Sequence, residues 1–101
     1  MSGPVRTFDE ARDVALAHAA RSMPLRDGLA WAAFEDGGED DRSYAVYCNE
    51  ARFVAGGDPL TTMLTGSPVL LVDKSSGKVE EAWYADPSDR ARLDAMAPVK
   101  G

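Results

Sequence analysis

Apolar positions in the first part of the chain recur with a helical period. In "FDEARDVALAHAARSM", Phe8, Ala11, Ala15 and Ala19 fall on one stripe with Val14 and His18 beside it, while Asp9, Arg12, Asp13 and Arg21 point mostly elsewhere. Thr7 and Glu10 stand at capping-box spacing, so the helix is expected to begin at Phe8. Pro24 disfavours the helical conformation at Met23 and, with Gly28 behind it, sets the end near Ser22. The alanine stripe predicts a helix lying close on a sheet.

The period then changes. "LAWAAFE", Leu29 to Glu35, reads as a short strand, although its three alanines are weak strand formers. "EDGGEDD", Glu35 to Asp41, sets five carboxylates around two glycines, and their mutual repulsion predicts a solvated, mobile hairpin loop. In "RSYAVYCN", Tyr44, Val46 and Cys48 alternate with Ala45, Tyr47 and Asn49, the pattern of a half-buried strand. A tight turn at Asn49 and Glu50 should lead into a second short strand, "ARFVAG".

Gly56 and Gly57 allow a sharp corner, where Asp58 caps or bonds the following backbone and Pro59 fixes φ at the start of the next segment. "LTTMLTG" then has Leu60, Met63 and Leu64 at helical spacing, so a single helical turn or an irregular apolar loop covering one end of the sheet is expected. The apolar run "VLLVDK" and the alternating "KVEEAWYAD" flank "DKSSG", where Asp73 can bond forward along the backbone and Gly77 can take a positive φ. That is a β-hairpin. The tail offers Ser88 as an N-cap, Leu93 and Met96 at i, i+3, and Pro98 as a stop, so a short C-terminal helix is expected. The elements order as an α+β fold, with the N-terminal helix packed on a four- to five-stranded antiparallel sheet.

At 101 residues the whole chain is expected to form a single domain. The hydrophobic fraction of 45% and charged fraction of 28% are those of a folding chain. Seventeen acids against eleven bases leave a net charge of −6, which repels nucleic-acid phosphate and anionic membrane surfaces and attracts a basic partner. The "MSGPVRTFDEARD" opening has no apolar stretch of a signal peptide, and no run approaches the roughly eighteen apolar residues of a membrane span. With Cys48 the one cysteine, these features lead to an expectation of cytoplasmic residence.

Candidate chemistry is thin. Cys48 lies in a strand and His18 on a helix, so a thiol nucleophile with its base is not expected, and one histidine cannot build a histidine-rich metal site. "EDGGEDD" lacks the ligand order of a calcium loop, and Gly37–Gly38 and Gly56–Gly57 lack the lysine and hydroxyl that complete a phosphate cradle. Neither a metal nor a cofactor is therefore expected. The aromatic residues Trp31, Tyr44, Tyr47, Phe53, Trp83 and Tyr84 could pack a core or bind a partner.

The run "AVYCNEARFVAGGDPLTTMLTGSPVLLVDKSSGKV" resembles the bacterial immunity protein 35 family, with its YrhB-type members. Tyr47, Asn49, Phe53, Gly57, Asp58, Gly66, Pro68, Asp73 and Gly77 fall in the family's order with nearly matching spacing, and the "TFDEARDVA" helix opening is similar. The chain departs from that pattern at Val46 and Cys48, where the family carries aromatics, and in a longer, more acidic connection before the strand. The resemblance implies a non-enzymatic protein that neutralises a toxin domain made by the same or a neighbouring bacterium. Its expected contacts are Asp36, Glu39, Asp40 and Asp41 of the acidic segment with Tyr44 beside them, while Gly56, Gly57, Asp58, Asp73 and Gly77 serve as turns. A chaperone-like or housekeeping protein-interaction domain stays open as an alternative, as does a homodimer through an exposed strand edge.

Overall fold

The structure, a computed structural model, describes residues 3–22, 30–51, 68–83 and 85–100. It is an α+β fold with the element order α1 (Phe8–Ser22), β1 (Trp31–Ala33), β2 (Asp36–Glu39), β3 (Ser43–Val46), β4 (Cys48–Glu50), β5 (Val69–Asp73), β6 (Val79–Ala82), α2 (Pro87–Asp94) and β7 (Ala97–Lys100). Five strands form an antiparallel sheet in the order β6-β5-β3-β2-β7, and β1 pairs with β4 in a separate two-stranded ribbon.

Helix α1 starts where its cap residues place it. Thr7 Oγ1 accepts from the Glu10 amide at 3.1 Å, and the Glu10 carboxylate reaches back to the Arg6 amide at 3.3 Å. Phe8, Ala11, Ala15 and Ala19 are buried along the predicted stripe. They pack with Tyr44, Val46, Cys48, Leu70 and Val72 on one face of the sheet. Small side chains on the helix let its backbone approach closely while the larger strand residues fill the layer.

The opposite face has its own apolar cluster of Ala45, Val69, Leu71 and Ala82, covered by Leu93 of α2, with Tyr47 and Met96 at its margin. Strand β3 is consequently buried on both faces, not on one as its alternation predicts. Its two sets of side chains simply meet two different helices.

Residues 30–51 make one long, kinked hairpin. Ala33 stands opposite Cys48 and Gly38 opposite Ala45, so residues 34–37 of one arm face only 46 and 47 of the other. This bulge splits the ribbon from the main sheet and frees Asp36 and Gly37 to pair with Lys100 and Val99 of β7.

Several local expectations are corrected here. "DGGE" is strand β2, not a solvated loop, and the turn is confined to the residues between Glu39 and Ser43. The reason is crowding: a Cβ on Gly37 would collide with the Ala45 carbonyl and the Phe8 ring, and one on Gly38 would press on Met96. Glycines stand there because both faces of β2 are closely covered, not to make a loop. Asn49 and Glu50 do not turn the chain; they end β4, paired with Ala32 and Trp31.

At the C-terminus Asp86, not Ser88, caps α2, accepting from the Ser88 and Asp89 amides, with Pro87 at its start. The tail then continues into strand β7, which the sequence pattern did not announce. Pro98 brings no N–H to the ladder and so suits an outer strand, while Glu80 and Glu81 on β6 charge the other margin, both arrangements that oppose strand pairing between copies. The "DKSSG" hairpin forms as expected. Strands β5 and β6 pair around it, and Gly77 has φ 73°. The corner Gly56, Gly57 and Asp58, the "ARFVAG" strand beyond Ala51, the turn in "LTTMLTG", and Tyr84 lie outside the described residues.

Candidate functional site

The last part of the acidic segment, Glu39 to Asp41, lies at the end of the sheet where the β2–β3 and β5–β6 turns meet, while Asp36 begins β2. Asp40 shapes the first turn, its Oδ1 accepting from the amides of Arg42 at 2.9 Å and Ser43 at 2.8 Å. Asp73 shapes the second in the same way, with Ser75 N at 2.8 Å, Ser75 Oγ at 2.7 Å and Ser76 N at 3.1 Å on one oxygen. The Ser75 hydroxyl and then the two amides hold the Asp73 carboxyl below its ordinary pKa. Backbone bonds knit the turns to each other and to the N-terminal segment: Lys74 donates to the Arg42 carbonyl, and Val5 donates to the Lys74 carbonyl, each at 2.8 Å.

Two cations complete this end. Arg92 of α2 sets Nε 3.3 Å from Asp40 Oδ2, Nη2 3.1 Å from Ser43 Oγ and Nη1 3.7 Å from Glu80. Lys74 sets Nζ 2.9 Å from Glu39 Oε2 and 4.8 Å from the centre of the Tyr44 ring. Burial alone raises the Asp40 pKa, but the two amides and the Arg92 guanidinium outweigh it, and the group sits below its ordinary value. The hydrogen bond to Glu39 raises Lys74, against a smaller opposing effect of burial.

The five expected contact residues therefore separate. Glu39 and Asp40 are bonded inside the fold. Tyr44 is buried, its ring 6.0 Å from that of Phe8 and its hydroxyl donating to the Arg6 carbonyl at 3.3 Å, so it offers no exposed aromatic face. Asp36 and Asp41 are exposed and make no side-chain ion pair among the described residues. Trp83 is the large apolar residue that the described part leaves exposed, at 43%. Arg92 was missed by the sequence reading, and no sequence signal marks it: only the packing of α2 brings it to Asp40.

The two groups considered for nucleophilic chemistry are apart. Cys48 is buried on the α1 side, and burial pushes its thiol up to about 11, with the Arg12 guanidinium only partly opposing this. A protonated thiol is a poor nucleophile at neutral pH. His18 instead faces Glu81 of β6 at 3.5 Å. Among the described residues no three His, Cys, Asp or Glu side chains converge as metal ligands, and no helix is long and apolar enough to cross a membrane. No protein-family model, curated protein or solved structure matches the chain.

Proposed function

We propose that the chain is a non-enzymatic protein-binding domain of the immunity type, which neutralises a bacterial toxin domain by covering a basic surface of it. The reading is carried by the combination of a net charge of −6 with Asp36 and Asp41 exposed and without internal ion-pair partners among the described residues. Charge that is not consumed within the fold is free to steer a basic partner and to meet its cations at the rim of an interface. Asp41 sits on the braced β2–β3 turn and Asp36 on strand β2 where it pairs with β7, so both are held on backbone that need not be ordered on binding, which lowers the entropic cost of association. The likeness of the "AVYCNEARFVAGGDPLTTMLTGSPVLLVDKSSGKV" run to the immunity protein 35 family supports the same reading.

The test is direct mixing with the toxin domain encoded beside this chain's gene. A stoichiometric complex that abolishes toxicity and whose association slows as salt is raised is the expected result. Salt-insensitive binding to several unfolded proteins, with no effect on the toxin, favours the chaperone-like alternative and removes the immunity reading.

A further inference from the structure

The α2-facing side of the sheet is built in rungs. Ser43, Asp73 and Lys78 form the first, Ala45, Leu71 and Glu80 the second, and Val69 with Ala82 the third. Leu93 covers the apolar rungs, while the first remains open as a shallow depression of about 40 Å³ with Leu71 as its apolar floor. Arg42, Lys78 and Arg92 surround it, together with Ser43, Asp73 and Glu80.

We infer that this depression is a binding subsite for one small oxyanion, a carboxylate or a phosphate group. Its volume is far below the several hundred Å³ of an organic ligand pocket, and a single water needs roughly 10–15 Å³ on the same scale, so one oxyanion or about three waters fill it. Three basic residues line it against two acidic ones, in a chain whose net charge is negative.

Of the two carboxylates in the lining, Asp73 spends one oxygen on Ser75 and Ser76 in the turn, and Glu80 faces Arg92 at 3.7 Å. Arg42 and Lys78 form no ion pair among the described residues, although their backbones are fixed on both sides. Arg42 N–H bonds Asp40 and its carbonyl takes Lys74 N–H; Lys78 N–H bonds Ser76 Oγ and its carbonyl takes Asp73 N–H. Arg92 is braced by Asp40 and Ser43 through its Nε–H and one Nη2–H, and its Nη1 faces Glu80 at 3.7 Å, which leaves the second Nη2–H and one Nη1–H of the guanidinium to donate. A braced arginine flanked by two cations on fixed backbone and without ion-pair partners among the described residues can donate to a compact anion. The subsite needs no toxin partner.

The probes are inorganic phosphate and acetate, titrated separately into the ¹⁵N-labelled full chain at constant ionic strength with chloride as control. Saturable shifts at the Ser43 and Lys78 amides and the Arg92 Nε–H are expected, and whichever anion saturates names the chemistry. The double variant R42A/K78A, both sites exposed, keeps the fold and weakens binding by at least about tenfold, as loss of two charge-assisted contacts requires. A response that stays linear, or equals that of chloride, or saturates unchanged in the double variant overturns the subsite.

Discussion

Arg92 of α2 grips Asp40 in the β2–β3 turn, Nε to Oδ2 at 3.3 Å, although the two residues are 52 positions apart. The same carboxylate accepts the amides of Arg42 and Ser43 through its other oxygen. A residue that the charge pattern marks as part of a solvated loop is thus a structural clasp between helix, turn and sheet.

That clasp has a pH signature. The Asp40 pKa is lowered in the folded chain from the ordinary 3.8, so the folded state holds its charged form more firmly than the unfolded state does. The stabilisation is fully present above the unfolded value and is lost as pH falls through the folded one. Urea unfolding of the wild type should therefore weaken with a steeper slope below about pH 4 than that of D40N, whose amide cannot titrate. D40A should cost about 1–2 kcal/mol at neutral pH, since two turn amides and Arg92 lose their acceptor while water reaches part of the site. Identical acid slopes for wild type and D40N would contradict the clasp.

Gly37 and Gly38 give a second test, of the close cover on both faces of β2. At Gly37 a methyl group meets backbone oxygen and a buried ring, neither of which can yield, so G37A is expected to cost about 3 kcal/mol. At Gly38 the nearest atom is Met96 Cβ at 3.2 Å, on a half-buried residue at the sheet margin, so G38A should cost about 1 kcal/mol. Denaturation midpoints of the two variants should fall in that order. If G37A is as stable as the wild type, β2 does not lie beside β3 and beneath Phe8 as described.

The contrast between α1 and β2 explains which parts of this fold are legible in the sequence. The stripe of Phe8, Ala11, Ala15 and Ala19, the Thr7–Glu10 cap and the Asp73–Gly77 turn all depend on residues close together in the chain, and local spacing reports them faithfully. β2 and β7 are strands only because distant segments cover and pair with them: Phe8 over Gly37, Met96 beside Gly38, Lys100 opposite Asp36. Local propensity argues against both, with two glycines in one and a proline in the other. The candidate contact set divides for the same reason. Nothing near Glu39 or Asp40 in the chain foretells Lys74 or Arg92, 35 and 52 positions away, and so four carboxylates that look alike in sequence have different duties.

Cys48 carries a third prediction, at the alkaline end. Its thiol is raised from 9.0 to about 11 by burial, so between those values the folded state keeps a proton that the unfolded state releases. Stability conferred by the neutral thiol is present below pH 9 and declines as pH rises toward 11, by about 2–3 kcal/mol across the window. C48A should lack that decline. At neutral pH the native thiol should also react with a disulfide reagent only as fast as the chain opens, with a large acceleration in denaturant. Immediate stoichiometric labelling of the native chain would place the thiol at the surface.

The separation of structural from exposed carboxylates leads to the sharpest test of the partner-binding reading. Reversing Asp36 and Asp41 together, D36K/D41K, removes charge from exposed positions that make no ion pair inside the described fold; the lysine introduced at position 36 would face Lys100 across the β2–β7 pair, a solvent-screened repulsion, so the melting temperature should fall only slightly. If those groups steer a basic partner, the association rate should fall about tenfold or more at low ionic strength and converge with the wild type as salt is raised. Reversing Glu39 and Asp40 should do the opposite in order of magnitude. It breaks the bonds to Lys74 at 2.9 Å and Arg92 at 3.3 Å and sets like charges together, so unfolding precedes any loss of binding that remains to be measured. Stopped-flow association at two salt concentrations, beside thermal melts of both variants, separates the cases. Equal association rates for D36K/D41K and the wild type at low salt would show that these two carboxylates do not guide the encounter, and the contact surface would then have to be sought away from both of them.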